Sequence, residues 1–155
     1  MPNESYQKLL DYSLKLLSIR PRSTWEIRSK LVAYTKKRKL SQDCIEKSIS
    51  YLSEKNLLND RDFSIWWISQ RSSFRPKGWR VIREELRMKG VDREVIDALT
   101  PDKSSEYTSA KKVAQKKLRF ISRLPDSEAK LRIKEALLRR GFSWDTISRV
   151  IDEME

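Results

Sequence analysis

The side chains able to do chemistry in this sequence are overwhelmingly cationic. Its 155 residues carry 34 Lys and Arg against 22 Asp and Glu, a formal charge of +12. Histidine is absent and cysteine occurs once, as Cys44. Without histidine there is no Ser-His-Asp or Cys-His catalysis and no histidine-based zinc site. Three glycines cannot furnish a P-loop or a dinucleotide fingerprint, and neither spacing occurs. Glu84 and Glu85 are neighbours, so on a helix they diverge by about 100° and make no convergent acid/base pair. No catalytic constellation is found; an enzyme is not expected, nor are a metal or a cofactor. A lone cysteine forms no internal disulfide, which fits a reducing cytosol, and a cytoplasmic location is expected. The longest apolar runs, such as Ile65 to Ile68, fall far short of the roughly 20 residues a membrane span needs. Met1 to Leu10 has no signal-peptide core.

What so many cations can do is bind anions. An excess of this size favours nucleic acid, an acidic protein groove or an anionic membrane surface. Arg80, Arg83 and Arg87 recur at i, i+3, i+7, beside a core-facing set of Trp79, Ile82 and Leu86. Arg75 and Lys77 extend this stripe into the preceding turn, and Lys89 ends it. Basic faces recur at Arg28 and Lys30, and at Lys130, Arg132, Lys134, Arg139 and Arg140. A row of guanidinium groups suits phosphate oxygens or carboxylates, which arginine grips with two parallel bonds. The densest run, Lys36-Lys37-Arg38-Lys39, falls at a helix end or in a loop. There it would add salt-dependent affinity without sequence information. The aromatic residues form no base-stacking platform pattern. Trp66 and Trp67 cannot both occupy the centre of one core face, and Trp25, Trp79 and Trp144 are assigned to their own helix triplets. Cys44 reads as a small core residue.

The elements that carry these residues are helices. Leu10, Leu14 and Leu17, then Ile45, Ile49 and Leu52, then Tyr107, Ala110 and Ala114 each recur at helical spacing. No period-2 alternation supports strands. Pro21, Pro76 and Pro125 each precede, by six to eight residues, an isoleucine (Ile27, Ile82, Ile133) that opens a basic amphipathic helix, so each marks an inter-helix turn. Pro101 separates the last two units.

The helices repeat. Ile82-Arg83-Glu84-Glu85-Leu86 aligns with Ile133-Lys134-Glu135-Ala136-Leu137, and Lys89-Gly90-Val91 with Arg140-Gly141-Phe142, without a gap. A first unit joins the alignment through Ile27, Leu31, Leu40 and Ile45 if four residues are inserted at the basic run 36–39. The period is near fifty residues. Three units, 1–58, 59–101 and 102–155, each hold three helices. The first helices fall at 4–18, 61–73 and 104–122, the second at 24–36, 78–89 and 127–140, and the third at 41–55, 92–99 and 143–153. Ser23 and Ser127 are expected to cap second helices, Asp92 and Ser143 to cap third ones, and Asn59-Asp60 to cap the helix that follows. Gly90 and Gly141 close second helices, where a left-handed residue is wanted.

With the motifs in place, the segment Leu57-Leu58-Asn59-Asp60-Arg61-Asp62-Phe63, then Arg71, then Lys77 through Val91 and Glu94-Val95-Ile96, resembles the signature of the RecX family of regulatory proteins. The first unit resembles the family's opening repeat through Ser23, Glu26, Ile27, Lys30 and Leu31. The last resembles its closing repeat through Ile133, Leu137, Arg140, Gly141, Phe142 and Ile147. The resemblance implies an all-α fold of tandem three-helix repeats, elongated and curved, with no sheet. It also implies a protein that binds in the groove of the RecA filament on single-stranded DNA and limits ATPase, strand exchange and co-protease activity. The residues meeting the filament or its DNA would be Arg75, Lys77, Arg80, Arg83, Arg87 and Lys89, with Arg28, the run 36–39, Lys134, Arg139 and Arg140. A monomer with weak non-specific DNA binding of its own is expected. The insertion at 36–39 and the tryptophans at 66 and 67, where the family more often has small residues, depart from the pattern. Read by themselves, the residues also allow a tandem helix-turn-helix DNA-binding protein that acts without RecA.

Overall fold

Backbone torsion, capping and apolar spacing together make the described residues a succession of helices. The structure, a computed structural model, describes the backbone of residues 2–154 and the side chains of residues 4–154. Among these residues there are nine helices and no strand. They are α1 (Pro2–Ile19), α2 (Thr24–Arg38), α3 (Cys44–Glu54), α4 (Asp60–Ser73), α5 (Trp79–Met88), α6 (Arg93–Ala98), α7 (Lys103–Ile121), α8 (Asp126–Arg139) and α9 (Trp144–Asp152). Pro21, Pro76, Pro101 and Pro125 all stand between helices, where a residue without an N–H costs no ladder bond.

The chain packs as two compact units, one of residues 1–66 with 86–96 and one of residues 67–85 with 97–155. The second sequence repeat is thus shared out between them. In the first unit, α1 and α2 pack on α3. Its core joins Leu9, Leu10, Ile27, Leu31, Cys44, Ile45, Ile49, Leu52 and Leu58. In the other, α7, α8 and α9 pack on one another around Ala110, Val113, Ala114, Ile133, Leu137, Phe142, Ile147 and Val150. Cys44 is buried, as its apolar setting predicts. Leu14 corrects the expected face of α1: it is exposed, while Leu9, Leu10 and Ser13 are buried. Ser13 enters the core because its hydroxyl donates back to the Leu9 carbonyl at 2.8 Å, so no polar atom is left unpaired.

The helix ends show which caps the local sequence specifies. Ser23 accepts from the Glu26 N–H, and Glu26 accepts from the Ser23 N–H, a reciprocal capping box. Ser143 accepts from the Thr146 N–H and opens α9. Asn59 accepts from the Asp62 N–H at the head of α4. Ser127 is a correction: α8 begins at Asp126, and Pro125 stands at its cap with extended backbone and no side-chain bond. The fixed proline φ presets the turn, and Asp126 and Glu128 place negative charge in the first turn. Asp102, which the sequence reading passed over, caps α7 by accepting from the Ser105 N–H at 2.7 Å.

The basic insertion extends a helix. Lys36, Lys37 and Arg38 form the last turn of α2, where cations complement the helix dipole. Lys39 takes the left-handed C-cap conformation at φ 56°, the position that Gly90 (φ 77°) and Gly141 (φ 89°) hold after α5 and α8.

One contact occurs in both units. In the first, the Ser23 hydroxyl donates to the Lys89 carbonyl at 2.7 Å, and a Cβ on Gly90 would collide with Trp25. In the other, the Gly78 N–H donates to the Arg140 carbonyl at 2.7 Å, and a Cβ on Gly141 would collide with Val81. Ser23 and Gly78 each lie four residues before the aligned isoleucines, and Lys89 and Arg140 each precede the aligned glycines. The start of one second helix therefore caps the end of the next repeat's second helix, satisfying carbonyls that the helix itself leaves unpaired. Trp25 accordingly departs from its own triplet to cover Gly90 and stays half exposed, whereas Trp144 remains with its triplet beneath Lys134.

A Cβ at Gly78 would overlap the backbone of Gly141 and Phe142, which cannot rotate away. Gly78→Ala should therefore cost about 1–3 kcal/mol, read as a lower thermal midpoint by circular dichroism. Unchanged stability would contradict the close approach. Ser23→Ala should cost about 1–2 kcal/mol, and Ser127→Ala should stay within about 0.5 kcal/mol. Equal losses at the two serines would show that Ser127 caps after all.

Candidate functional site

The cations divide into those with a role inside the fold and those exposed on a helix face. On α5, Ile82 and Leu86 are buried, Trp79 is half buried, and Arg80, Arg83 and Arg87 lie exposed on the neighbouring face, as 3.6-residue periodicity requires. Arg80 also reaches back, donating to the Leu138 carbonyl at 3.3 Å. Lys77 stands 3.6 Å from the half-buried Glu85, which also pairs with Arg71 at 2.6 Å. Lys89 stands 3.5 Å from Glu26. Arg28 makes a two-bond pair with Glu46, at 2.7 and 3.1 Å. That hydrogen bond holds Arg28 above and Glu46 below their ordinary values; being on the surface, it adds little stability. Lys134 lies over the Trp144 ring at 4.9 Å.

Trp66 and Trp67 are both half buried. Each ring carries a guanidinium: Arg20 over Trp66 at 5.9 Å and Arg71 over Trp67 at 4.6 Å. Near the basic end of α2, Tyr12 and Tyr34 stack at 4.3 Å and Arg38 covers Tyr34 at 4.7 Å. Lys36, Lys37 and Lys39 are exposed there.

The structure gathers three of the expected residues into one cleft. Arg75, Arg139 and Arg140 line a cavity of about 540 Å³ in the unit formed by 67–85 and 97–155. Lys112, Lys116 and Lys117 of α7 line the same cavity, and the sequence reading had not picked them out. Their signal was present as two lysine pairs, 111–112 and 116–117, flanking the buried Val113 and Ala114. The Arg140 guanidinium donates to the Pro76 carbonyl at 3.1 Å and fixes one wall. Among the described residues, no acidic side chain lines the cleft. No group of three or more His, Cys, Asp or Glu residues is placed to hold a metal ion, and no helix is long and apolar enough to cross a membrane, again among the described residues.

Helices in tandem three-helix repeats, with capped ends and cations as their main surface chemistry, define a tandem-repeat all-α protein. Residues 59–99 match the RecX second three-helix domain and residues 104–151 the RecX third three-helix domain. The regulatory protein RecX of Prosthecochloris aestuarii is 33% identical over 157 residues, covering 99% of this chain and 98% of that protein. The regulatory protein RecX of Bacillus licheniformis is 34% identical over 154 residues, covering 98% of this chain and 56% of that protein. The chain belongs to the RecX family. It spans a little over half the length of the Bacillus relatives it matches. The crystal structure of RecX from Lactobacillus salivarius shares the fold, with a TM-score of 0.82 over 98% of this chain and 97% of that one, at 24% identity.

The buried carboxylate of Glu26 links the cations to stability. Burial raises its pKa, but hydrogen bonds from Arg20 and the Ser23 N–H, with the charges of Arg20 and Lys89, outweigh burial and hold it below the ordinary carboxylate value. A lowered folded pKa gives stability that is present above the unfolded value, about 4.3, and is lost as pH falls through the folded value. Glu26→Gln should therefore destabilise the chain by about 1–3 kcal/mol at neutral pH. In urea unfolding the gap between variant and parent should shrink below about pH 4. A gap independent of pH would contradict the role of the ionised carboxylate.

Proposed function

We propose that this chain regulates a RecA recombinase by binding in the groove of its filament on single-stranded DNA, and that it limits ATPase, strand exchange and co-protease activity. Membership of the RecX family carries this reading. The exposed cations of α5, the basic end of α2 and the cleft beside α7 support it, because filament and DNA both present anionic surface. Repeats bounded near 1–58, 59–101 and 102–155 would each bring one basic second helix to the partner. Several weak contacts held on one chain then act at high effective concentration. The protein would work as a cytoplasmic monomer by surface and shape, without chemistry of its own.

The cations divide by cost. Arg80, Lys89 and Arg28 already serve carbonyls or carboxylates of this chain, so changing them would disturb folding as well as binding. Arg83, Lys36 and Lys37 are exposed and suit a clean test. RecA ATPase on single-stranded DNA should fall when the chain is added at stoichiometric amounts. Arg83→Glu combined with K36E and K37E should raise the concentration for half-inhibition by about tenfold or more, with helicity intact. No effect of the parent chain on ATPase would overturn the function. Inhibition undiminished in the triple variant would overturn the assigned surface. Tight, sequence-dependent binding to duplex DNA without RecA would favour a helix-turn-helix DNA-binding protein instead.

A further inference from the structure

One group in the cleft beside α7 has no part in binding a filament: the hydroxyl of Ser73. Ser72 and Ser73, at the end of α4, line the cleft together with Arg75, Arg139, Arg140, Lys112, Lys116 and Lys117. These cations come from three separate segments of the chain, and among the described residues no acidic side chain lines the cleft with them. Like charges so gathered repel one another, and negative charge placed among them relieves the repulsion. A sphere of 540 Å³ is about 10 Å across, close to the Debye length at physiological salt, so a charge on the wall is felt by all six cations. The two serines differ. Ser72 is half buried and donates to the Ile68 carbonyl at 2.9 Å. Ser73 is exposed, donates to the Ser69 carbonyl at 3.0 Å, and is the last residue of α4. Beyond it the chain leaves the helix. Phe74 is 75% exposed, Arg75 is left-handed at φ 53°, and Pro76 keeps the helix from resuming. Fraying of the last turn alone therefore presents Ser73 in an extended stretch. Arg75, two residues on, gives that stretch a basic flank, which suits an enzyme with an acidic substrate groove.

We propose that Ser73 is a site of phosphorylation by a protein serine/threonine kinase, and that its phosphate turns into the cleft and neutralises it. In the transfer, Ser73 Oγ attacks the γ-phosphorus of a nucleoside triphosphate bound by the kinase. The Oγ–P bond forms as the bond from that phosphorus to the β-bridging oxygen breaks. The nucleoside diphosphate leaves with the electron pair, and the hydroxyl proton passes to the kinase's base. The product carries a charge of about −1.5 to −2 at neutral pH and three acceptor oxygens. Two opposing effects meet there. The C-terminus of α4 presents roughly half a negative charge and repels a phosphate. Six cations attract it, and the guanidinium groups of Arg75 and Arg139 are built to hold it with paired bonds. The cleft therefore decides the sign. The phosphate cancels about a third of its positive charge and fills the place an external anion would take. A fixed acidic residue would close the cleft permanently, whereas a serine lets the chain close it on demand.

Incubated with ATP and an extract of its own host, with phosphatases blocked, the full chain should gain phosphate at Ser73, located by tandem mass spectrometry. Ser73→Ala should remove that phosphopeptide. No phosphate on the chain, or phosphate on other hydroxyls and none on Ser73, would overturn the site. Where the phosphate goes is read separately, by phosphorus NMR on the full chain with Ser73 installed as phosphoserine. The control is the chain with Ser50 installed as phosphoserine, since Ser50 is exposed on α3 and does not line the cleft. The control phosphate should keep a second pKa of about 6. The phosphate on Ser73 should titrate about one unit lower, because the cations favour its dianion, and should lose that shift in urea. K112E combined with K116E should bring the value back toward the control, with circular dichroism unchanged because both side chains are exposed. Equal pKa values for the two phosphates would overturn the turn into the cleft. None of these readouts involves RecA, so failure of the regulatory reading would leave this proposal standing.

Discussion

The last carbonyls of an α-helix have no partner within the helix, and here two of those helix ends are capped from the start of another. Ser23 meets the Lys89 carbonyl and Gly78 meets the Arg140 carbonyl. Only a residue without a Cβ lets the chains approach this closely, so Gly90 and Gly141 serve twice: they adopt the left-handed turn and admit Trp25 or Val81. The first repeat has no following glycine of this kind after α2. There Lys39 takes the left-handed turn, and the extra helical turn 36–39 projects its charge into solvent. A single device, used twice and then varied, thus decides where the helices end and where the basic insertion points.

The same device sorts the arginines and lysines. Arg80 and Arg140 lie at the Gly78–Gly141 junction, each donating to a carbonyl of the other's segment. Lys89 and Arg20 lie at the Ser23–Gly90 junction, both on the buried Glu26. These cations hold the fold, whatever else they touch. Arg83, the α2 terminus and the lysines of α7 have no comparable duty, so the charge left for a partner is smaller and more localised than a net +12 implies.

Much of the fold was legible because its signals are local. Helical spacing, the prolines between helices, the Ser23 cap and the matched glycines all act over a few residues, and apart from the face of α1 that carries Leu14 they stand where expected. Ser127 misled because Ser-Glu near a helix start resembles a cap, although Pro125 presets that turn two residues earlier. Leu14 misled because a perfect heptad spacing ran beside the true face, which buries Ser13 with a bond that spacing does not reveal. The candidate cleft was only half legible. Arg75, Arg139 and Arg140 were singled out as members of two stripes, but the contact that joins them, Arg140 to Pro76, spans 64 residues. The α7 lysines went unnoticed because the basic pattern was sought on second helices, while α7 is a first helix.

If the chain regulates a RecA filament as proposed, the exposed cations of α5, the α2 terminus and the α7 cleft meet an anionic nucleoprotein groove. An electron-microscopy reconstruction of the full chain on RecA filaments formed on single-stranded DNA tests it most directly. The account predicts helical density in the groove, with Arg83 and the α7 cleft turned toward filament or strand. Saturated filaments with an empty groove, or a bound chain with those faces turned to solvent, would contradict it.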